Sequence, residues 1–119
     1  VNESSITQIT ADHSLVEELI RSGKLAKNEA RNHPDKNKIT RAVGVFPKVD
    51  VDFFEAKVAP GDTVLLCTDG LTNMVEDAEI KRIILSQRDI VEKTTTLIET
   101  ANKNGGTDNI TALLIEPFV

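Results

Sequence analysis

The sequence predicts an α+β domain, part of a layered sandwich in which amphipathic helices cover strands. Two continuous β-prone runs point to it, Thr63-Val64-Leu65-Leu66-Cys67-Thr68 and Ile110 to Ile115, each with the pattern of a strand covered on both faces. Between and before them lie stretches with helical apolar spacing, bounded by capping residues and glycine breaks. The third observation is composition: 39% hydrophobic and 28% charged over 119 residues, which suits one folded domain with a modest core.

Taken in order, Ile6-Thr7-Gln8-Ile9 alternates briefly and reads as a strand or its tail. Ser14 and Glu17 form a capping box ahead of Leu15, Val16, Leu19 and Ile20 at helical spacing, and Gly23 closes that helix. A second short helix is expected from Lys27 to Asn32, stopped by Pro34. Residues 32–48 are dominated by turn chemistry, with only Ile39-Thr40 β-like between the breaks. Val49, Val51, Phe53, Ala56 and Val58 alternate imperfectly, as a strand with a bulge would. After the Pro60-Gly61-Asp62 turn comes the first covered strand, ended at Asp69-Gly70. Helices follow over Asp77–Ser86 and Asp89–Asn102, the second capped by Asp89. Gly105-Gly106-Thr107 then breaks the chain before the last strand.

The charge balance narrows the function classes. With 14 basic and 19 acidic residues the net charge is −5, which disfavours nucleic acid as a partner. Aromatics make up 3%, all of them Phe, so no stacking platform exists for single strands. A single Cys excludes a disulfide framework and a cysteine-built zinc site within the chain. The apolar runs are too short to span a bilayer, and a cytoplasmic location is expected. The chain opens at Val1 and its only methionine is Met74, so it reads as a portion of a longer product.

Two carboxylates stand out by position. Asp69 follows one apolar strand, where Gly70 lets the backbone turn sharply, and Asp108 precedes the other. If those strands pair antiparallel, the end of one meets the start of the other and both acids reach one rim. Two such acids repel, which favours a proton or a divalent cation between them, and oxygen donors suit Mg²⁺ or Mn²⁺. Ordinary turn chemistry is the bland alternative. Asp12-His13-Ser14 resembles a catalytic string, but Ser14 reads as a cap and three consecutive side chains point different ways. Cys67 reads as a small core residue. His33 and Arg41 sit in the irregular zone, solvated by default, with phosphate or peptide contact as the functional alternative.

The order of these strings resembles bacterial type 2C (PPM) metal-dependent serine/threonine phosphatases. Ile9-Thr10-Ala11-Asp12-His13-Ser14, Glu29-Ala30-Arg31-Asn32-His33-Pro34 and Ile39-Thr40-Arg41-Ala42-Val43-Gly44 look like that family's flap region. Pro60 through Leu71 and Gly106-Thr107-Asp108-Asn109-Ile110-Thr111 look like its later metal-binding signatures. The resemblance implies an α/β/β/α sandwich with mainly antiparallel strands. It implies hydrolysis of phosphoserine and phosphothreonine through a dinuclear centre of Mn²⁺ or Mg²⁺ that activates water, with Asp69 also able to help hold a third, looser ion. Asp69 and Asp108 would be metal ligands, with Gly70 and Asn109 supporting them. A flap over about residues 22–45, including His33 and Arg41, would flank the active-site mouth and influence substrate choice. Phosphoproteins would be the partners, together with a cognate Ser/Thr kinase.

The departures matter as well. The family's early Asp-Gly-His-Gly-Gly type signature and its basic phosphate-binding residue are absent, so residues 1–119 resemble the C-terminal portion of one catalytic domain. Two carboxylates are too few for a dinuclear centre, and the chain by itself is expected to be inactive or nearly so. The rival is a non-catalytic phosphoprotein- or kinase-binding module derived from a phosphatase. Strands without their partners would also leave apolar edges and faces, so self-association is expected.

Overall fold

A computed structural model describes residues 1–118 of the chain. They divide into two compact units, one made of Val1–Thr7 with the chain from Lys57 onward, the other of Gln8–Ala56.

The first unit is built on two strands. β1 (Val64–Cys67) pairs antiparallel with β2 (Ala112–Ile115) in the register Val64↔Ile115, Leu65↔Leu114, Leu66↔Leu113, Cys67↔Ala112. Side chains alternate across a strand, so Leu65, Ala112 and Leu114 share the face that meets the helices. Those helices are α3 (Asp69–Thr72), α4 (Asp77–Ile84) and α5 (Ile90–Lys103). Asp89 caps α5 by accepting the amide of Glu92 at 2.8 Å. α4 carries Asp77 and Glu79 in its first turn and Lys81 and Arg82 in its last, which complements the helix dipole. The core is Leu71, Val75, Ile80, Ile83, Ile84 and Leu97, joined by Ala101 and Leu114. At the start of the chain, the Thr63 amide donates to the Val1 carbonyl at 2.8 Å, and Asn2 Nδ2 donates to Asp62 Oδ1 at 2.8 Å.

The second unit holds α1 (Leu15–Arg21) and α2 (Lys27–Ala30). Ser14 Oγ accepts the Glu17 amide at 3.1 Å, so the serine half of the expected capping box is made. The chain leaves α1 through Gly23, at φ +77°.

The α+β class and the helix positions agree with the sequence reading to within a few residues, but five details of that reading are corrected. No strand forms over residues 49–58, where Val51 and Phe53 are largely exposed. Alternation records only which sides of an extended segment are apolar, and no described residues offer this one a ladder of backbone partners. Ile39-Thr40 amounts to a single antiparallel bridge, Ser14↔Ile39, and Ile6–Ile9 is irregular. The two strands are covered on one face only, because helices pack on one side of the sheet. Leu66, Leu113 and Ile115 are 51%, 55% and 41% exposed, forming an open apolar face. Cys67, at the end of β1, is exposed rather than a core residue. Among the described residues, no helix is long and apolar enough to cross a membrane.

This packing predicts a contrast. Leu97→Ala, which empties a fully buried position, should cost about 2–5 kcal/mol in urea denaturation followed by circular dichroism. Leu113→Ala on the open face should change stability by less than about 0.5 kcal/mol.

Candidate functional site

The register of β1 and β2 extends past both strands toward the two acids. The Thr68 amide donates to the Thr111 carbonyl at 3.0 Å, and the Thr111 amide donates back to Thr68 Oγ1 at 3.1 Å. The residue after Thr68 is Asp69, which opens α3, so the expected turn at Asp69-Gly70 is the first turn of a helix. On the other side, α5 closes with the Gly105 amide on the Asn102 carbonyl and the Gly106 amide on that of Ala101. Gly105 and Gly106 stand at φ +140° and +54°, backbone settings that side chains resist, and this two-bond closure delivers the chain to Asp108.

The two segments meet at Gly70. A Cβ placed there would lie 2.0 Å from the Asn109 carbonyl oxygen and 3.0 Å from its carbon. Only glycine permits this approach. The neighbour of Asp69 therefore touches the neighbour of Asp108, and the register brings the two acids to one rim. Both acids are exposed, and Asp108 Oδ1 accepts the amide of Asn109 at 2.7 Å. Asn109 thus acts through its backbone, as the partner of Gly70 and as a donor to Asp108.

The donor set has the chemistry of a hard divalent cation: carboxylate oxygens open to solvent, without thiolate or imidazole. Its number falls short of a complete centre. Among the described residues, no group of three or more His, Cys, Asp or Glu side chains could hold a metal ion.

In the second unit, His33 and Arg41 have separate roles. The His33 Nδ1 atom accepts the Asp35 amide at 3.0 Å, and its backbone amide donates to Ala30 O at 3.2 Å, so this residue shapes the turn after α2. Arg41 belongs to a cluster the sequence did not reveal. Its Nη1 donates to Asp52 Oδ1 at 3.0 Å and to the Asp50 carbonyl at 3.4 Å, while His13 Nε2 lies 2.7 Å from Asp52 Oδ2. Asp52 therefore uses one oxygen for the guanidinium and the other for the imidazole. The hydrogen bond to His13, and after it the one to Arg41, holds its carboxyl below the usual carboxylate range. Asp52 was missed because its partners lie 39 and 11 residues away, outside any local pattern. His13 thus pairs with Asp52 rather than with its sequence neighbours, since Asp12 accepts from Gln8 and Ser14 caps α1.

Two expectations follow. Gly70→Ala forces backbone against backbone and should destabilise the first unit by about 1–3 kcal/mol, with the largest amide shifts at residues 108–111 in NMR spectra. A carboxyl whose folded-state value is depressed contributes stability that is complete above the usual carboxylate range and is lost as pH falls through the depressed value. The protection factors of amides around Arg41, which remove the intrinsic pH dependence of exchange, should thus hold in mild acid and fall only below the usual carboxylate range. Asp52→Asn should lower them at neutral pH and abolish that acid transition.

Comparison with known proteins bears on the family and the fold. The family profile described as stage II sporulation protein E (SpoIIE) matches residues 20–117. The chain is 53% identical over 109 residues to the serine/threonine phosphatase stp of Listeria innocua serovar 6a, covering 92% of this chain and 43% of that protein. Its fold is similar to the S. agalactiae serine/threonine phosphatase, with TM-score 0.87 and 39% identity over 96% of this chain and 48% of that one. It is also similar to the catalytic domain of serine threonine protein phosphatase PstP in complex with two manganese ions, with TM-score 0.77, 30% identity, and coverage of 95% and 46%. The chain spans less than half the length of the curated relatives it matches. With the family profile, the relatives and the fold in accord, the chain belongs to the SpoIIE/PPM-type serine/threonine phosphatase family.

Proposed function

We propose that this chain supplies the Asp69/Asp108 rim of a metal-dependent protein phosphatase that hydrolyses phosphoserine and phosphothreonine. The observation that carries the reading is the Gly70–Asn109 contact, which fixes two solvent-facing carboxylates at one end of an antiparallel pair. Asp69 and Asp108 would hold Mn²⁺ or Mg²⁺ as part of a dinuclear centre. When bound, such ions supply Lewis acidity toward phosphoryl oxygens and an acidified water. The chain's own residues do the rest of the local work. Gly70 leaves room at the rim, Asn109 N–H holds one oxygen of Asp108, and Thr68 locks the two segments through its hydroxyl. Residues 22–45, with Arg41 braced by Asp52, are proposed as the substrate-facing flap, and a kinase acting on the same phosphoproteins as its counterpart.

The small donor set also supports low turnover by these 119 residues without further ligands. A second reading, a phosphoprotein-binding module without catalysis, draws on the same shortage. The open face of Leu66, Leu113 and Ile115 supports self-association of the isolated chain, which light scattering would register as a mass above one copy.

Calorimetric titration with Mn²⁺, read together with p-nitrophenyl phosphate turnover, tests the proposal. The chain should bind weakly without turnover, and Asp69→Asn and Asp108→Asn should each weaken binding by about tenfold or more. Unchanged binding in both variants would overturn the metal rim. Turnover lost in the variants would show that the chain completes the centre, contrary to the low-turnover reading. Binding of a phosphothreonine peptide without any metal dependence would favour the second reading.

A further inference from the structure

Charge is unevenly placed along the chain. Residues 21–48 hold eight Lys and Arg against two Asp and Glu, a local charge of +6 in a chain of net charge −5. The remaining residues therefore carry −11. This basic stretch lies wholly within the unit Gln8–Ala56. Lys24, Lys27 and Lys48 are exposed and, among the described residues, have no acidic partner. Two of the other cations are engaged locally, Lys38 with Asp35 at 3.1 Å and Arg41 with Asp52 at 3.0 Å. The same stretch exposes apolar side chains without covering them, Val43 at 90% and Phe46 at 74%.

A chain of net negative charge that gathers most of its cations in one exposed segment offers that segment to acidic partners, and charge complementarity of this kind steers and selects them. We infer that residues 21–48 form a docking strip for an acidic polypeptide segment, so that phosphorylated side chains flanked by Asp and Glu are the preferred substrates. The substrate part of this statement rests on the phosphatase reading above; the acidic-segment part does not. A peptide fits better than a nucleic acid. The exposed Val43, Val45 and Phe46 offer apolar contact to side chains, Phe46 is the lone aromatic of the strip, and the −11 carried elsewhere repels a long polyanion.

The test uses the 119-residue chain and fluorescence anisotropy with labelled peptides of equal length. One has phosphothreonine flanked by Glu and Asp, one has phosphothreonine flanked by Lys, and one is the acidic peptide without phosphate. The acidic phosphopeptide should bind about tenfold or more tightly than the Lys-flanked one, and the preference should shrink as salt rises. The triple variant Lys24→Glu/Lys27→Glu/Lys48→Glu should lose that preference, whereas Lys57→Glu/Lys103→Glu, outside the strip, should keep it. Circular dichroism of each variant separates loss of binding from loss of fold. If the acidic peptide binds equally with and without phosphate, the docking strip stands and the preference for phosphorylated side chains falls. Equal binding of acidic and Lys-flanked phosphopeptides, no binding at millimolar peptide, or tighter binding of an RNA oligonucleotide of the same charge would each overturn the docking strip.

Discussion

Everything proposed for the acidic rim depends on a single close approach, the Asn109 carbonyl lying where a side chain at position 70 would begin. The antiparallel ladder of β1 and β2 sets the register, but a ladder alone leaves the segments beyond its ends free to diverge. Thr68 continues the pairing by one step, through its amide and its hydroxyl, and Gly70 then lets the start of α3 nest against the opposite segment. The backbone thus carries both carboxylates to one end of the strand pair, and Asp108 adds one contact of its own by accepting the Asn109 amide.

The helices behind the sheet serve that placement. Leu71 and Val75, just after the acid-bearing turn, are buried among Ile80, Ile83, Ile84 and Leu97, so α3 is anchored from below by core packing. The glycine closure of α5 anchors the other approach. Burial of apolar area is the non-directional force that holds the layers together, while the glycine contacts supply the geometry. The opposite face of the sheet carries the same apolar character without cover, which is the clearest physical sign that this unit is built to pack against something else.

Much of this was legible in the sequence because it is local. The caps Ser14 and Asp89, the glycine stops and the apolar spacing of α1, α4 and α5 are written within a few residues of where they act. The pairing that carries Asp69 and Asp108 to the same end of the sheet was legible through one non-local assumption, that two obvious strands run antiparallel. The rest needed partners that a one-dimensional pattern does not name. Residues 49–58 alternate like a strand yet find no ladder among the described residues, and a covered-strand pattern at Leu66 and Leu113 does not say that the cover lies in this chain. Asp52 carries no local signal in the sequence. Its importance to Arg41 and His13 arises only when segments far apart in sequence are brought together.

The most direct measurement of the central claim is paramagnetic broadening by trace Mn²⁺ in the amide NMR spectrum of the chain. If the register and the Gly70 contact build one cation-binding rim, residues 68–71 and 107–111 should lose intensity together at the same Mn²⁺ concentration. Gly70→Ala should uncouple the two groups. Broadening confined to one of the two segments, or centred on the acidic residues of α4, would contradict a shared rim.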